Sequence, residues 1–185
     1  MNYQDYLINS KCKMDRRGMN PNELFIFRNF LKDSQLKKKR ERLVNYLESF
    51  QKISNEIFNS LKNTPVLIAV TDTIPVILDI YGDHNFIKYA QKVGIQPGTI
   101  LEADSVGMNP SLASLELQRP IRLFGEEHYF RVMRNFVWYA VPIRDRNNTT
   151  ILTVSLLTTV KNDNSFIMPL LLMIQKFVEK EYTCN

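Results

Sequence analysis

Cysteine and histidine are scarce in this chain, with two of each among 185 residues. Cys12 and Cys184 stand near opposite ends and form no CxxC pair. A thiolate metal site is thereby excluded, and a reduced, cytoplasmic setting is expected. His84 and His128 lie far apart, so neither gains a histidine partner at ligand spacing. Six glycines are few, which argues against a Gly-rich phosphate loop, and no GxxxxGK[ST] stretch occurs. No apolar run approaches the roughly 20 residues a membrane helix needs. The opening "MNYQDYLINS" lacks the basic-then-apolar layout of a secretory signal. Internal repeats and low-complexity tracts are absent as well.

What is present suits a folded domain. The chain is 44% hydrophobic, and eleven Phe and eight Tyr supply aromatic mass for a core or a pocket. The formal charge of +5 is unevenly spread. Residues 11–42 hold eleven Lys/Arg against four Asp/Glu, whereas residues 43–185 hold thirteen against fourteen. The basic character therefore belongs to an N-terminal segment, either a solvated helix face or a surface that touches nucleic acid. The solvated face is the simpler reading, so DNA contact by this chain is not expected.

Residues 22–62 contain neither Pro nor Gly, which allows a long helix. From Leu36 the apolar residues fall in sevens, through Leu43, Phe50 and Ile57, with Leu47 and Leu61 four residues after two of them. Arg40 and Ser54 interrupt the second set, so the heptad is weak but sufficient for helix pairing. "NTP" (Asn63–Pro65) ends it. The pattern then becomes β-branched. "VLIAVTD" and "IPVILDIYGD" read as a hairpin, and "HNFIKYAQKVG" as a helix closed by Gly94. In "MNPSLASLELQ", Asn109 is an N-cap with Pro110 at the first helical position. "RPIRLFG" is a strand, and "FVWYAVPIRD" turns through Asn147–Asn148 into "TILTVSLLTTV". "SFIMPLLLMIQKFVEKEY" is a closing helix with Ser165 as cap and Pro169 in its first turn. Residues 1–62 thus form a basic helical segment, with a signalling or dimerisation helix from about residue 36, and residues 63–185 form an α+β body.

Several of these pieces, in this order, resemble the sensory GAF domain of sigma-54-dependent transcriptional activators of the acetoin-regulator type. Gly107, Asn109, Pro120, Gly125, Glu127, His128, Pro142, Ile143 and Asp145 match that family's pattern. "VLIAVTD" resembles its first strand, and "INSKCKMDRRGMNP" its opening motif. Pro110 and Ser111 replace a small Ala-Ile pair, Lys11 replaces a Trp, and Trp138 stands where many relatives carry Cys. The resemblance implies a GAF-like antiparallel sheet of five or six strands. N- and C-terminal helices would pack on one face, with loops and short helices on the other. It implies a small-molecule effector and signalling through the terminal helices to an AAA+ domain and a DNA-binding domain, neither found in this chain.

"GEEHYF", Gly125 to Phe130, places two carboxylates before a histidine. Catalysis would need Glu126 or Glu127 to orient His128 as a base. Neighbours in a strand point to opposite faces, so only Glu126 shares a face with His128, and only if the stretch is extended. No nucleophile elbow lies nearby, and a metal would need more ligands than this stretch supplies. No catalytic residue, metal or cofactor is therefore expected. Free-methionine-sulfoxide reductases of this fold need clustered cysteines, and cyclic-nucleotide pockets an N-K-x-F-D-E signature; both are absent here. The candidate ligand-contacting residues are Asn109, Leu112, Glu126, His128, Tyr129, Met133, Phe136 and Trp138. In "FVWYAV" alternation puts Phe136, Trp138 and Ala140 on one face and Val137, Tyr139 and Val141 on the other, without deciding which face meets the terminal helices. Two functions remain open. One is a metabolite-sensing regulatory domain, homodimeric through Leu43, Leu47, Phe50 and Ile57. The other is an interaction and dimerisation module whose pocket Trp138 fills.

Overall fold

The computed structural model describes residues 2–23, 26–60, 64–102 and 107–183. In chain order these carry α1 (Tyr3–Arg16), α2 (Asp33–Arg42), α3 (Val44–Ser60), β1 (Val66–Asp72), β2 (Ile77–Gly82) and α4 (His84–Lys92). Then follow α5 (Pro110–Leu117), β3 (Ile121–Phe124), β4 (Phe136–Arg144), β5 (Thr150–Thr159) and α6 (Ile167–Thr183). The five strands form one antiparallel sheet in the order β2-β1-β5-β4-β3.

Strict alternation along the strands builds two apolar faces. Val66, Ile68 and Val70 of β1, Val137, Tyr139, Val141 and Ile143 of β4, and Leu152, Val154 and Leu156 of β5 share one face. Leu47 and Phe50 of α3 cover it, together with Ile167, Leu171, Ile174 and Val178 of α6. Leu67, Ala69, Ile77, Trp138 and Leu157 share the other face, under Phe27, Phe86, Ala90, Ile95 and Leu101. This is the α+β, GAF-like arrangement that the sequence implies, and it places Trp138 on the side away from α3 and α6. The β-branched runs form strands because both of their faces bury against a layer.

The heptad turns out to be an internal seam. Leu47 and Phe50 are buried on the sheet, and Leu36, Leu43 and Ile57 pack partly buried beside the same cluster. Leu47 and Phe50 are thus not available to a second copy. Leu61 and the boundary expected near residue 62 lie outside the described residues.

The Pro- and Gly-free stretch is not one helix. Leu43 breaks it with φ −118° and ψ 15°. Ahead of α2, residues 26–32 run extended, because their backbone finds partners in the loop after α4. Phe27 N donates to Val93 O (2.8 Å), Leu31 N to Gly98 O (2.8 Å), and Ile100 N to Asn29 O (2.9 Å). These bonds, with burial of the Phe27 ring, outweigh local helix propensity. Gly94 makes the crossing possible. It has φ +85°, and a Cβ there would stand 2.3 Å from Phe27 O.

Three element ends also differ from the pattern. β2 starts at Ile77 rather than Ile74, because Asp72 Oδ1 closes a turn by accepting from Ile74 N (3.1 Å) and Val76 N (3.0 Å). Asp83 caps α4 by accepting from Phe86 N at 2.8 Å. Before α6 it is Asn164, not Ser165, whose side chain accepts from a backbone amide, that of Phe166 (3.0 Å).

α1 lies on the Trp138 side. Its Tyr6 and Leu7 are buried with Met108, Ala113, Ile121 and Leu123. Its Met14 is buried with Tyr129 and Phe130. The Tyr3 hydroxyl donates to the Arg122 carbonyl (2.6 Å), which satisfies a backbone group of the short edge strand β3.

Candidate functional site

The "GEEHY" stretch is a coil rather than an extended strand. Gly125–Glu127 form one 3-10 turn, entered with Gly125 at φ +53°. Glu127 folds back and accepts from Phe124 N (2.8 Å) and from the Tyr3 hydroxyl (3.3 Å). Glu126 points outward, pairs with Arg134, and its carbonyl accepts from Lys11 Nζ at 2.6 Å. His128 turns the other way and is 3% exposed. Its backbone N donates to Gly125 O (3.1 Å), and its Nε2 donates to the Phe136 carbonyl (3.2 Å). Glu126 and His128 therefore do not share a face, since two residues of a 3-10 coil turn their directions by about two thirds of a turn.

Burial pulls the His128 pKa down from 6.5 to about 4. The carbonyls of Phe136 and Leu123 favour the charged ring, but desolvation outweighs them, and the positive charges of Lys11 and Arg134 add to it. At neutral pH His128 is an uncharged donor that ties the loop to the start of β4. Asn109 is equally committed. Its Oδ1 accepts from Leu112 N (3.0 Å) as the N-cap of α5, and its Nδ2 donates to Leu101 O (3.1 Å). Tyr129 is buried, with its hydroxyl donating to the Met19 carbonyl (2.6 Å) and reaching Asp15 Oδ1 (2.9 Å).

Around Trp138 the interior is nearly full. Asn109, His128, Tyr129, Met133 and Trp138 come together with Phe27, Met108 and Phe130 around a cavity of about 20 Å³. Met133 and Phe136 border a neighbouring cavity of about 30 Å³, lined also by Phe27, Phe86, Tyr89 and Leu157. Leu112 and Glu126 line neither. A site for a small organic molecule spans roughly 300–1,000 Å³, whereas one water needs only about 10–15 Å³. Both voids are thus of water size.

Phe27 is the feature that sequence reasoning did not place here. It borders both voids, yet it comes from the stretch "LFIFRNF", which belongs to no motif. The available signal was density: four consecutive apolar residues ahead of the first heptad position suit a buried strap better than a solvated helix. Larger hollows lie on the opposite side. One of about 500 Å³ opens between α2, α3 and β2, and one of about 320 Å³ between α3 and α6.

No protein-family model matches the chain. An uncharacterised 47.3 kDa protein from the thcA 5′ region of Rhodococcus erythropolis is 29% identical over 89 residues, covering 48% of this chain and 20% of that protein. A chain of the E. coli DhaR(N)–DhaL complex superposes with a TM-score of 0.87 at 16% identity, covering 96% of this chain and 60% of the other. An IclR homolog from Microbacterium sp. strain HM58-2 superposes at 0.50 with 10% identity, covering 82% and 72%. The chain thus spans a fifth of its curated relative and three fifths of the DhaR(N)–DhaL chain. At these identities the likeness is one of fold.

Among the described residues no group of three His, Cys, Asp or Glu side chains is placed to hold a metal ion. No described helix is long and apolar enough to cross a membrane. Cys12 is exposed and unpaired in any disulfide, while Cys184 lies outside the described residues.

Proposed function

We propose that this chain is a regulatory domain of a bacterial sigma-54-dependent transcriptional activator and that it works by protein contact rather than metabolite capture. The observation that carries the reading is the pair of voids that share Phe27 and Met133, about 20 Å³ beside Trp138 and about 30 Å³ beside Phe136, where a sensor of this fold would hold its effector. Trp138 and Phe27 occupy that space themselves. The domain is homodimeric, non-enzymatic, and passes its signal through α3 and α6 to AAA+ and DNA-binding domains. In support, the run from Gly107 to Asp145 resembles that family's sensory domain. The similarly folded DhaR(N)–DhaL chain was captured in a complex with protein. A buried, neutral His128 bonded to a backbone carbonyl also suits a brace better than a catalytic base.

The test is a thermal-shift and calorimetric screen of the full chain against small organic acids, alcohols and amino acids, with Trp138 fluorescence as a second readout. No saturable binding is expected. A compound that binds one-to-one and perturbs Trp138 would sink the closed-interior reading. Metabolite sensing is the second reading, favoured by the fact that just two side chains, Phe27 and Met133, border both voids.

A further inference from the structure

The 500 Å³ hollow between α2, α3 and β2 is a cleft with three sides. Leu43 breaks α2 from α3, and each helix turns one face into the gap. On α2 these are positions 33, 36, 37, 40 and 41, and on α3 positions 44, 47, 48 and 51. Steps of three and four residues mark a single face in each helix. The edge strand β2 supplies the third side through Asp79 and Tyr81. The volume falls within the roughly 300–1,000 Å³ of a site for a small organic molecule.

The lining has an apolar part and a charged part. Leu36, Val44, Leu47 and Tyr81 make the apolar part, and Val44 is still 44% exposed. The charged part sets four carboxylates, Asp33, Glu41, Glu48 and Asp79, against two cations, Lys37 and Arg40. Asp79 and Arg40 are engaged with each other at 2.8 Å. The Tyr81 hydroxyl donates to the Leu47 carbonyl at 3.2 Å. Among the described residues Asp33, Glu41 and Glu48 meet no Lys or Arg within ion-pair distance. Lys37 alone is left to balance three carboxylates. The cleft is therefore negative, although Lys and Arg outnumber Asp and Glu eleven to four over residues 11–42. In a chain of net charge +5 a cation is not drawn in by the whole molecule. Only a local match of this kind would hold one.

We infer that this cleft binds an organic cation, a primary amine carried on an apolar body. The ammonium sits between Glu41 and Glu48, which stand on the two helices either side of the Leu43 break. The body lies on Leu36, Val44 and Tyr81. The site is outside the interior beside Trp138 and goes beyond the reading above. A bound amine touches α2 and α3 together and so fixes the angle between them. α2 has no fully buried residue of its own, so contacts shared with α3 add to a slight footing.

The experiment titrates the full chain with phenethylammonium chloride at constant ionic strength, by calorimetry and by hydrogen exchange of the α2 amides. 2-Phenylethanol and 3-phenylpropionate serve as neutral and anionic probes of matched shape. The amine is expected to bind saturably and to slow exchange in α2. The alcohol should bind about tenfold more weakly, and the acid not at all. Glu41→Gln/Glu48→Gln should weaken the amine by about tenfold, with far-UV circular dichroism unchanged. Glu23→Gln, an exposed carboxylate ahead of the strap, should leave its affinity unchanged. If the double variant fails to fold, Val44→Arg decides, because it places a cation on the apolar wall and should abolish binding. No saturable binding of the amine would overturn the inference, as would equal binding of the alcohol or an affinity that survives the variants. Absence of binding leaves the closed-interior reading untouched. Binding that survives the variants and changes Trp138 fluorescence would place the amine in the interior and overturn both.

Discussion

His128 Nε2 donates to the carbonyl oxygen of Phe136 across 3.2 Å, joining the "GEEHY" turn to the first residue of β4. The bond is made in a buried setting that disfavours charge on the ring. Its consequences reach stability, pH response and the shape of the interior.

The first consequence is acid sensitivity. His128 titrates near 4 in the folded chain and near 6.5 when unfolded. Between those values the unfolded state binds the extra proton, so stability is full above pH 6.5 and is lost as pH falls towards 4. The loss attributable to this residue is about 3 kcal/mol. Urea unfolding across that window should show the slope in wild type and a flatter profile in His128→Gln. Equal slopes in the two proteins would remove His128 from the account.

Phe27 should be among the most costly core positions. Phe27→Ala removes the ring that borders both voids, with an expected loss of about 3–5 kcal/mol. The merged space should then admit a small apolar probe such as indole, detected as a rise in melting temperature absent from wild type. A loss below about 1 kcal/mol would mean that the strap does not hold Phe27 in place.

Asn109 is assigned a structural task. Asn109→Ala deletes the α5 N-cap and leaves the Leu101 carbonyl without its donor, at a cost of about 1–3 kcal/mol. Asn109→Asp keeps an acceptor for Leu112 N but loses the donation to Leu101 O. Its chemical-denaturation midpoint should therefore fall between those of wild type and Asn109→Ala.

The register of α1 can be read from adjacent residues. Leu7 is buried against β3 and α5, whereas Ile8 is exposed. Leu7→Ala should cost about 2–5 kcal/mol, and Ile8→Ala about 0.5 kcal/mol or less. Similar losses for the two would show that α1 does not dock in this register.

The sequence was most legible where local chemistry and tertiary environment agree. Asn109–Pro110 announces α5, and the alternation of "FVWYAV" divides Trp138 from Tyr139. It was less legible where distant contacts overrule local preference. The stretch from Ile26 to Lys32 is free of helix breakers, yet it runs extended because the loop at Val93–Ile100 supplies its hydrogen bonds. The Glu126–His128 proximity depended on an extended chain, and one 3-10 turn at Gly125 undid it. Heptad spacing in α3 was visible, but spacing alone does not say whether the partner is another chain or the chain's own sheet.

α2 sits apart from all of this. None of its residues is fully buried, and Leu36 gives it only a partial apolar footing. Its hold on the β1–β2 hairpin rests largely on Lys39 with Asp72 and on Arg40 with Asp79. The Arg40 pair is the more open of the two, with side-chain exposures of 43% and 21% against 26% and 9%. At about 1 M salt the Debye length shrinks to roughly 3 Å, so the Arg40 contact should loosen first while Lys39 still anchors the helix. The docking of this one helix is therefore governed by the surrounding electrolyte, in a molecule otherwise held together by its apolar layers.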